Sequence, residues 1–177
     1  GKGSELLPVS WQSMHHDQTL NEPGLQPSVV ALIDAAQLAE RPGLLVKALD
    51  ALRVRFPSSL IWTPGIAGPD NCALLSWMGV DLFDTTRSSA AAARGVILAE
   101  DGPRLPEATL GESADMEAQC AAWRRAIAAT RAAIRSSSLR ELAERQAASS
   151  PRSVERLRRH DALMRGHEGG RSGLSRV

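Results

Sequence analysis

The residue best placed to do chemistry is an aspartate. Asp84 closes the short run Val80-Asp81-Leu82-Phe83, which follows an apolar segment at residues 60–63, the turn Pro64-Gly65-Ile66-Ala67-Gly68-Pro69 and a helical stretch over residues 69–78. The order is strand, glycine turn, helix, strand, then a carboxylate. In parallel α/β folds, ligands gather at the C-terminal ends of the strands. A carboxylate there is ionised at neutral pH and attacks an electrophilic carbon without first losing a proton. The plainer role for Asp84 is to hold the turn that follows. Asp81 opens the run and suits structural hydrogen bonding. Gly65 and Gly68 are small enough to admit a phosphate or substrate close to the backbone, with Pro69 opening a helix beside them. No dinucleotide or Walker fingerprint accompanies them.

The elements that must position Asp84 read as a β-α-β-α-β series. Residues 1–27 are rich in turn formers and lack a sustained period, so they are expected to form an irregular arm. Residues 29–33 read as a short buried strand. Leu45, Leu49, Leu52 and Phe56 then fall on one face of a helix that Pro42 can open. A further Ala-rich helix at residues 87–94 leads into Val96-Ile97-Leu98 and a small hairpin turning at Asp101-Gly102. Such a series calls for parallel strands and right-handed crossovers, so residues 28–114 are expected to form one α/β unit.

From Asp115 onward the pattern is helical. Met116, Cys120, Trp123, Ile127 and Ile134 make a stripe, Ser138 with Glu141 has the spacing of a capping box, and Ser150-Pro151 opens another helix. Residues 115–165 are thus a helical extension. Residues 166–177 hold four glycines and little to bury, and are expected to be disordered.

Charge divides along the same line. Residues 1–115 carry 8 Lys or Arg against 14 Asp or Glu, whereas residues 116–165 carry 11 against 5. The basic helices suit a phosphate-facing surface as well as a simple solvated face. Arg124 and Arg131, seven residues apart and therefore on similar sides of one helix, are the candidates for nucleic-acid contact. The two cysteines, Cys72 and Cys120, lie in apolar helical surroundings, which points to buried thiols in a reducing compartment; a cytoplasmic setting is expected. No apolar run approaches a membrane span. His15-His16-Asp17 reads as loop residues, since adjacent histidines point in different directions in most backbones.

The phrase Gly79-Val80-Asp81-Leu82-Phe83-Asp84, after a Pro- and Gly-rich turn and before Arg94-Gly95-Val96-Ile97-Leu98-Ala99-Glu100-Asp101-Gly102, resembles the last barrel strands of the tRNA-guanine transglycosylase family, and within it the archaeosine-synthase branch. The likeness spans residues 28–160 and is sharp over 59–102. It implies the C-terminal part of a TIM-type (β/α)8 barrel with a helical extension, tRNA as partner, and Asp84 as the nucleophile that attacks the ribose C1′. Arginines commonly follow that strand in the family to engage the tRNA backbone, which maps onto Arg87 and Arg94, the latter being the better match.

Departures from the family are equally definite. The Cys-x-Cys-x-x-Cys group and later His that bind the family's structural zinc have no counterpart after the hairpin, so no zinc and no other cofactor is expected. A complete barrel takes about 250 residues, against 177 here. The front strands, with their base-recognising acids, are therefore expected to be missing. Asp34, ending the first strand, is free to line the same mouth or simply to hold a turn. The isolated chain is expected to lack exchange activity and to need a second subunit or the missing segment. Two other readings stay open: a non-catalytic RNA-binding or partner subunit, and a DNA-directed relative that inserts deazaguanine.

Overall fold

The computed structural model describes residues 5–173. Its first element lies inside the stretch read from sequence as an irregular arm. Leu6–Val9 forms strand β1 and pairs in parallel with β2, Val29–Leu32, with Leu6 opposite Val29 and Val9 opposite Leu32. Pro8 is what hides this strand. Proline has no N–H to give a ladder and is confined to edges, and β1 is the edge of its sheet. Trp11–His16 follows as helix α1, where Ser10 and Ser13 exchange the reciprocal bonds of a capping box. Residues 1–4 of the expected arm lie outside the described residues.

β2 is Val-Val-Ala-Leu with its last three residues buried, the near-continuous apolar run of a strand covered on both faces. It sits between β1 and β3, Leu60–Trp62, which is also parallel to it. Helices α2 (Ala35–Ala39) and α3 (Pro42–Arg55) connect β2 to β3. Pro42 occupies the start of α3, and the stripe Leu45, Leu49, Leu52 and Phe56 is buried throughout. Each such side chain contributes about 1.5–3 kcal/mol by leaving water.

After β3, α4 (Cys72–Trp77) returns the chain to residues 80–84. The strand expected there is reduced to one parallel bridge between Trp62 and Leu82. The N–H groups of Asp81 and Leu82 both donate to the Ile61 carbonyl, and two successive donors on one acceptor interrupt a regular ladder. The sheet is therefore open among the described residues, with three strands in chain order and a single bridge beyond them. The fold is mixed α/β, with a small parallel sheet and predominant helix.

Helix α5 (Thr86–Ala93) leads to the antiparallel hairpin β4 (Ile97–Ala99) and β5 (Gly102–Arg104). Three helices complete the chain: α6 (Met116–Arg135), α7 (Leu139–Ala147) and α8 (Pro151–Gly173). The buried face of α6 differs from the expected stripe. Met116 and Ile134 are exposed, and the contact is made by Gln119, Ala122, Trp123, Ala126, Thr130 and Ala133. Small residues bring α6 close to its neighbours, and Gln119 behaves as a surrogate strand: its Oε1 accepts from Leu98 N–H at 3.0 Å and its Nε2 donates to the Val96 carbonyl at 2.7 Å.

The capping box expected at Ser138 is not formed. Ser137 takes a φ of 57°, and the Ser138 hydroxyl meets that of Ser136 instead of the helix start. Residues 166–173, expected as part of a disordered tail, continue α8, and residues 174–177 lie outside the described residues.

Candidate functional site

The Pro64-to-Pro69 turn and Asp84 come together at the C-terminal end of β3. Gly65 has φ of 78°, a conformation that favours glycine, and it aims its N–H at Asp84 Oδ2 over 2.8 Å. Trp62 at the end of β3 donates its indole N–H to the same oxygen at 3.2 Å. Thr86, at the start of α5, donates its backbone N–H to Oδ1 at 3.0 Å. Partial burial pushes this carboxyl up, but bonds from the Thr86 side chain, the N–H groups of Gly65 and Thr86, and Trp62 outweigh it and hold it below the ordinary aspartate value. No cation pairs with Asp84 among the described residues. It is a fixed, ionised carboxylate held by neutral donors.

A cavity of about 450 Å³ opens beside it, between residues 81–85 and α6. Asp84, Phe83, Thr85, Trp123, Ile127 and Arg131 line this space. Phe83 and Trp123 stack with ring centroids 6.1 Å apart, forming an apolar wall. The arrangement can present an anionic nucleophile to a ligand lying against aromatic surface, with one cation on the opposite helix.

The arginines expected to meet nucleic acid fall in different settings. Arg131 is exposed and reaches the Asp84 cavity, whereas Arg124, also exposed on α6, does not line it. Arg94 is exposed at the C-terminal cap of α5. Arg87 is engaged: its two terminal nitrogens meet the two carboxylate oxygens of Asp70 at 2.7 and 2.8 Å. Gly68 is part of the scaffold under that pair. Its N–H donates to Asn71 Oδ1 at 2.8 Å, and a Cβ on it would lie 2.5 Å from Asp70 and 2.6 Å from Arg87.

Other polar candidates have local work. Asp34 accepts the Trp11 N–H through Oδ2, fixing α1 to the end of β2, while its buried Oδ1 has no partner. His15 Nδ1 lies 2.7 Å from the Trp11 carbonyl within α1. Burial pushes the Cys72 thiol up, and Cys120 is also free. Among the described residues no three His, Cys, Asp or Glu side chains converge as a metal site, and no helix is long and apolar enough to cross a membrane.

Sequence reading misses Trp62 and Thr86 as partners of Asp84. Signals for both exist: a half-buried indole N–H needs an acceptor, and an Asp two residues before a helix start commonly accepts its N–H. Neither signal says which oxygen is bound or that both residues share one acid with Gly65. No protein-family model matches the chain, and no curated protein matches it either.

Proposed function

We propose that this chain carries the nucleophile-bearing edge of a tRNA-guanine transglycosylase-like enzyme, acting in 7-deazaguanine modification of tRNA of the archaeosine or queuosine type. The observation that carries the reading is the Asp84 carboxylate, fixed by Gly65, Trp62 and Thr86 at the end of a parallel strand and unpaired with any cation among the described residues. In this reading Asp84 attacks the ribose C1′, the purine departs with the glycosidic electron pair, and the resulting glycosyl ester is released to an incoming base. Strand order supports a barrel relationship, because β1, β2, β3 and the Leu82 bridge follow one another in parallel as neighbouring strands of a (β/α)8 barrel do. The open edge beyond Leu82 is where a further strand would add, so the reaction is assigned to this chain together with the polypeptide that supplies the remaining strands.

A second reading rests on the same bonds. Both oxygens of Asp84 are already accepting hydrogen bonds from the turn and from the start of α5, the set a purely turn-forming aspartate makes. It favours a non-catalytic tRNA-binding or partner subunit; a DNA-directed relative would use the same residues.

Transfer RNA labelled at the replaced guanine separates these readings. Alone, the chain is expected to bind the tRNA without releasing label, and to bind it better than duplex DNA. Replacing Arg124 and Arg131 is expected to weaken binding and to flatten its salt dependence by about one unit of slope per lost phosphate contact. Release is expected once the remaining strands are supplied together with a deazaguanine base. Failure of the chain to bind tRNA would rule the proposal out, and binding with unchanged release in Asp84→Asn would leave the subunit reading in its place.

A further inference from the structure

Gly65 and Arg87 also border a second cavity, of about 360 Å³, whose far wall is the start of α8. Ser149, Ser150, Ser153 and Arg156 form that wall. Arg156 is only 9% exposed. One of its terminal nitrogens donates to the Ala39 carbonyl at 2.6 Å, but its buried Nε has no partner, and no carboxylate lies within ion-pair distance of it among the described residues. The two acids at the cavity are already engaged, Asp70 with Arg87 and Glu40 with Arg152. Arg87 and Arg152 are thus each matched by an acid, and Arg156, the buried one, is not. Burial, with Arg152 and Arg87 nearby, pushes the Arg156 guanidinium down from its usual range.

The surroundings add neutral donors. Val154 N–H is bonded to the Ser150 carbonyl at 3.0 Å, which marks Ser150 as the cap of α8. Pro151 has no N–H, and a helix start leaves the N–H groups of Arg152 and Ser153 without intrahelical acceptors. The positive end of a long helix thus points at the same space as the unpaired guanidinium. Ser153 is buried and lines the cavity, so its hydroxyl is a further neutral donor beside the helix start. A planar carboxylate would be satisfied by a guanidinium fork alone. Donors arriving from a guanidinium, a helix start and a hydroxyl suit a tetrahedral oxyanion.

We propose that this cavity is a phosphate-binding site in which Arg156, the first-turn N–H groups of α8 and Ser153 hold the phosphate, with Arg87 at the rim. The site does not depend on Asp84 being a nucleophile. The phosphate belongs either to a small phosphorylated molecule or to a nucleic-acid strand, and the same donors serve both.

Titration of the whole chain with inorganic phosphate, followed by calorimetry and by thermal unfolding, tests it. Saturable one-site binding is expected, with the unfolding temperature rising with phosphate and not with chloride at equal ionic strength. Arg156→Gln is expected to weaken binding by roughly tenfold or more. Arg156→Leu removes the buried charge while filling the space; it is expected to unfold no more easily than the parent without phosphate, and to lose the phosphate response. Asp84→Asn is expected to leave phosphate binding unchanged, which keeps the two proposals separable. Displacement of phosphate by a nucleoside 5′-monophosphate would identify a small ligand, and displacement by tRNA alone a nucleic-acid backbone. Absence of phosphate binding, with Arg156→Leu clearly destabilised, would overturn the proposal and make Arg156 a structural donor to Ala39.

Discussion

Asp81 and Asp84 stand three residues apart on one extended segment and are treated oppositely by the fold. Asp81 Oδ2 accepts from Arg53 at 2.7 Å and from the Ile61 N–H at 2.9 Å. Arg53 in turn donates to the carbonyls of Ser59 and Gly79, so the pair ties α3 to the entry of β3 and to the turn after α4. Asp84, at the other end of the segment, lines the same cavity as Asp81 but receives only neutral donors. A carboxylate matched by a cation has its charge spent on holding the chain. One matched by N–H groups keeps its charge while losing its freedom to move, and that is the state a nucleophile requires.

Exchanging the two acids for amides, one at a time, is the strongest way to break this contrast. In the completed enzyme, Asp84→Asn is expected to lower guanine release on the order of 10⁴-fold or more, the scale of loss when a nucleophile is deleted, while shifting stability little. Asp81→Asn is expected to do the reverse, costing about 1–2 kcal/mol through the lost Arg53 pair and the weakened Ile61 bond, and leaving release within severalfold of the parent. Denaturant unfolding and label release on the same preparations decide it. Equal loss of release in both variants would mean that the segment acts as one structural unit and that Asp84 has no separate chemical role.

The two glycines of the turn sharpen the contrast at smaller cost. Gly68→Ala would drive a methyl group into the Asp70–Arg87 pair and to 2.9 Å from Leu98, and is expected to destabilise by about 1–3 kcal/mol. Gly65→Ala meets no neighbour within 4 Å and is strained only by its φ of 78°, at about 1–2 kcal/mol. Its functional effect is expected to be the larger, because relaxing that φ turns the N–H away from Asp84. Thermal unfolding measured beside label release separates packing at Gly68 from carboxylate positioning at Gly65.

Much of this contrast is legible in the amino-acid sequence alone. The Pro-Gly turn, the apolar runs around it and the acid at their end place Asp84 beside Gly65, and the spacing of Leu45, Leu49, Leu52 and Phe56 defines α3 with its buried face. What sequence does not supply is the identity of partners across long separations. Nothing in the spacing pairs Asp81 with Arg53, or Gln146 with the start of α4, where its Oε1 accepts from Ala73 N–H and its Nε2 donates to the Pro69 carbonyl. Helix α6 misleads for a related reason: large apolar residues suggest the buried face, but close helix packing selects alanines, leaving Met116 and Ile134 in solvent. Arg156 does not stand out because Arg152, Arg158 and Arg159 surround it in sequence, and only packing decides which arginine is buried.

The smallest expected effect concerns pH, and its sign is fixed by the bonds on Asp84. The folded carboxyl lies below the 3.8 of an unperturbed aspartate, because its hydrogen bonds outweigh partial burial. In acid the unfolded chain therefore takes up this proton first, and the stabilisation contributed by ionised Asp84 is present above pH 3.8 and lost as pH falls through the folded value. Raw acid-unfolding curves will not isolate it. Glu112, held down to about 2 by Arg104, and Asp115, held down by Ser113 and Ala118, give up their own stabilisation in the same acid range. Subtracting the curve of Asp84→Asn from that of the parent cancels those shared contributions. The difference is expected to be flat above about pH 5, where both folded and unfolded aspartate are ionised, and to shrink on further acidification. A difference that grows toward acid would mean that burial wins over the hydrogen bonds and raises the carboxyl, so that Gly65, Trp62 and Thr86 would not be holding Asp84 in favour of its charged form.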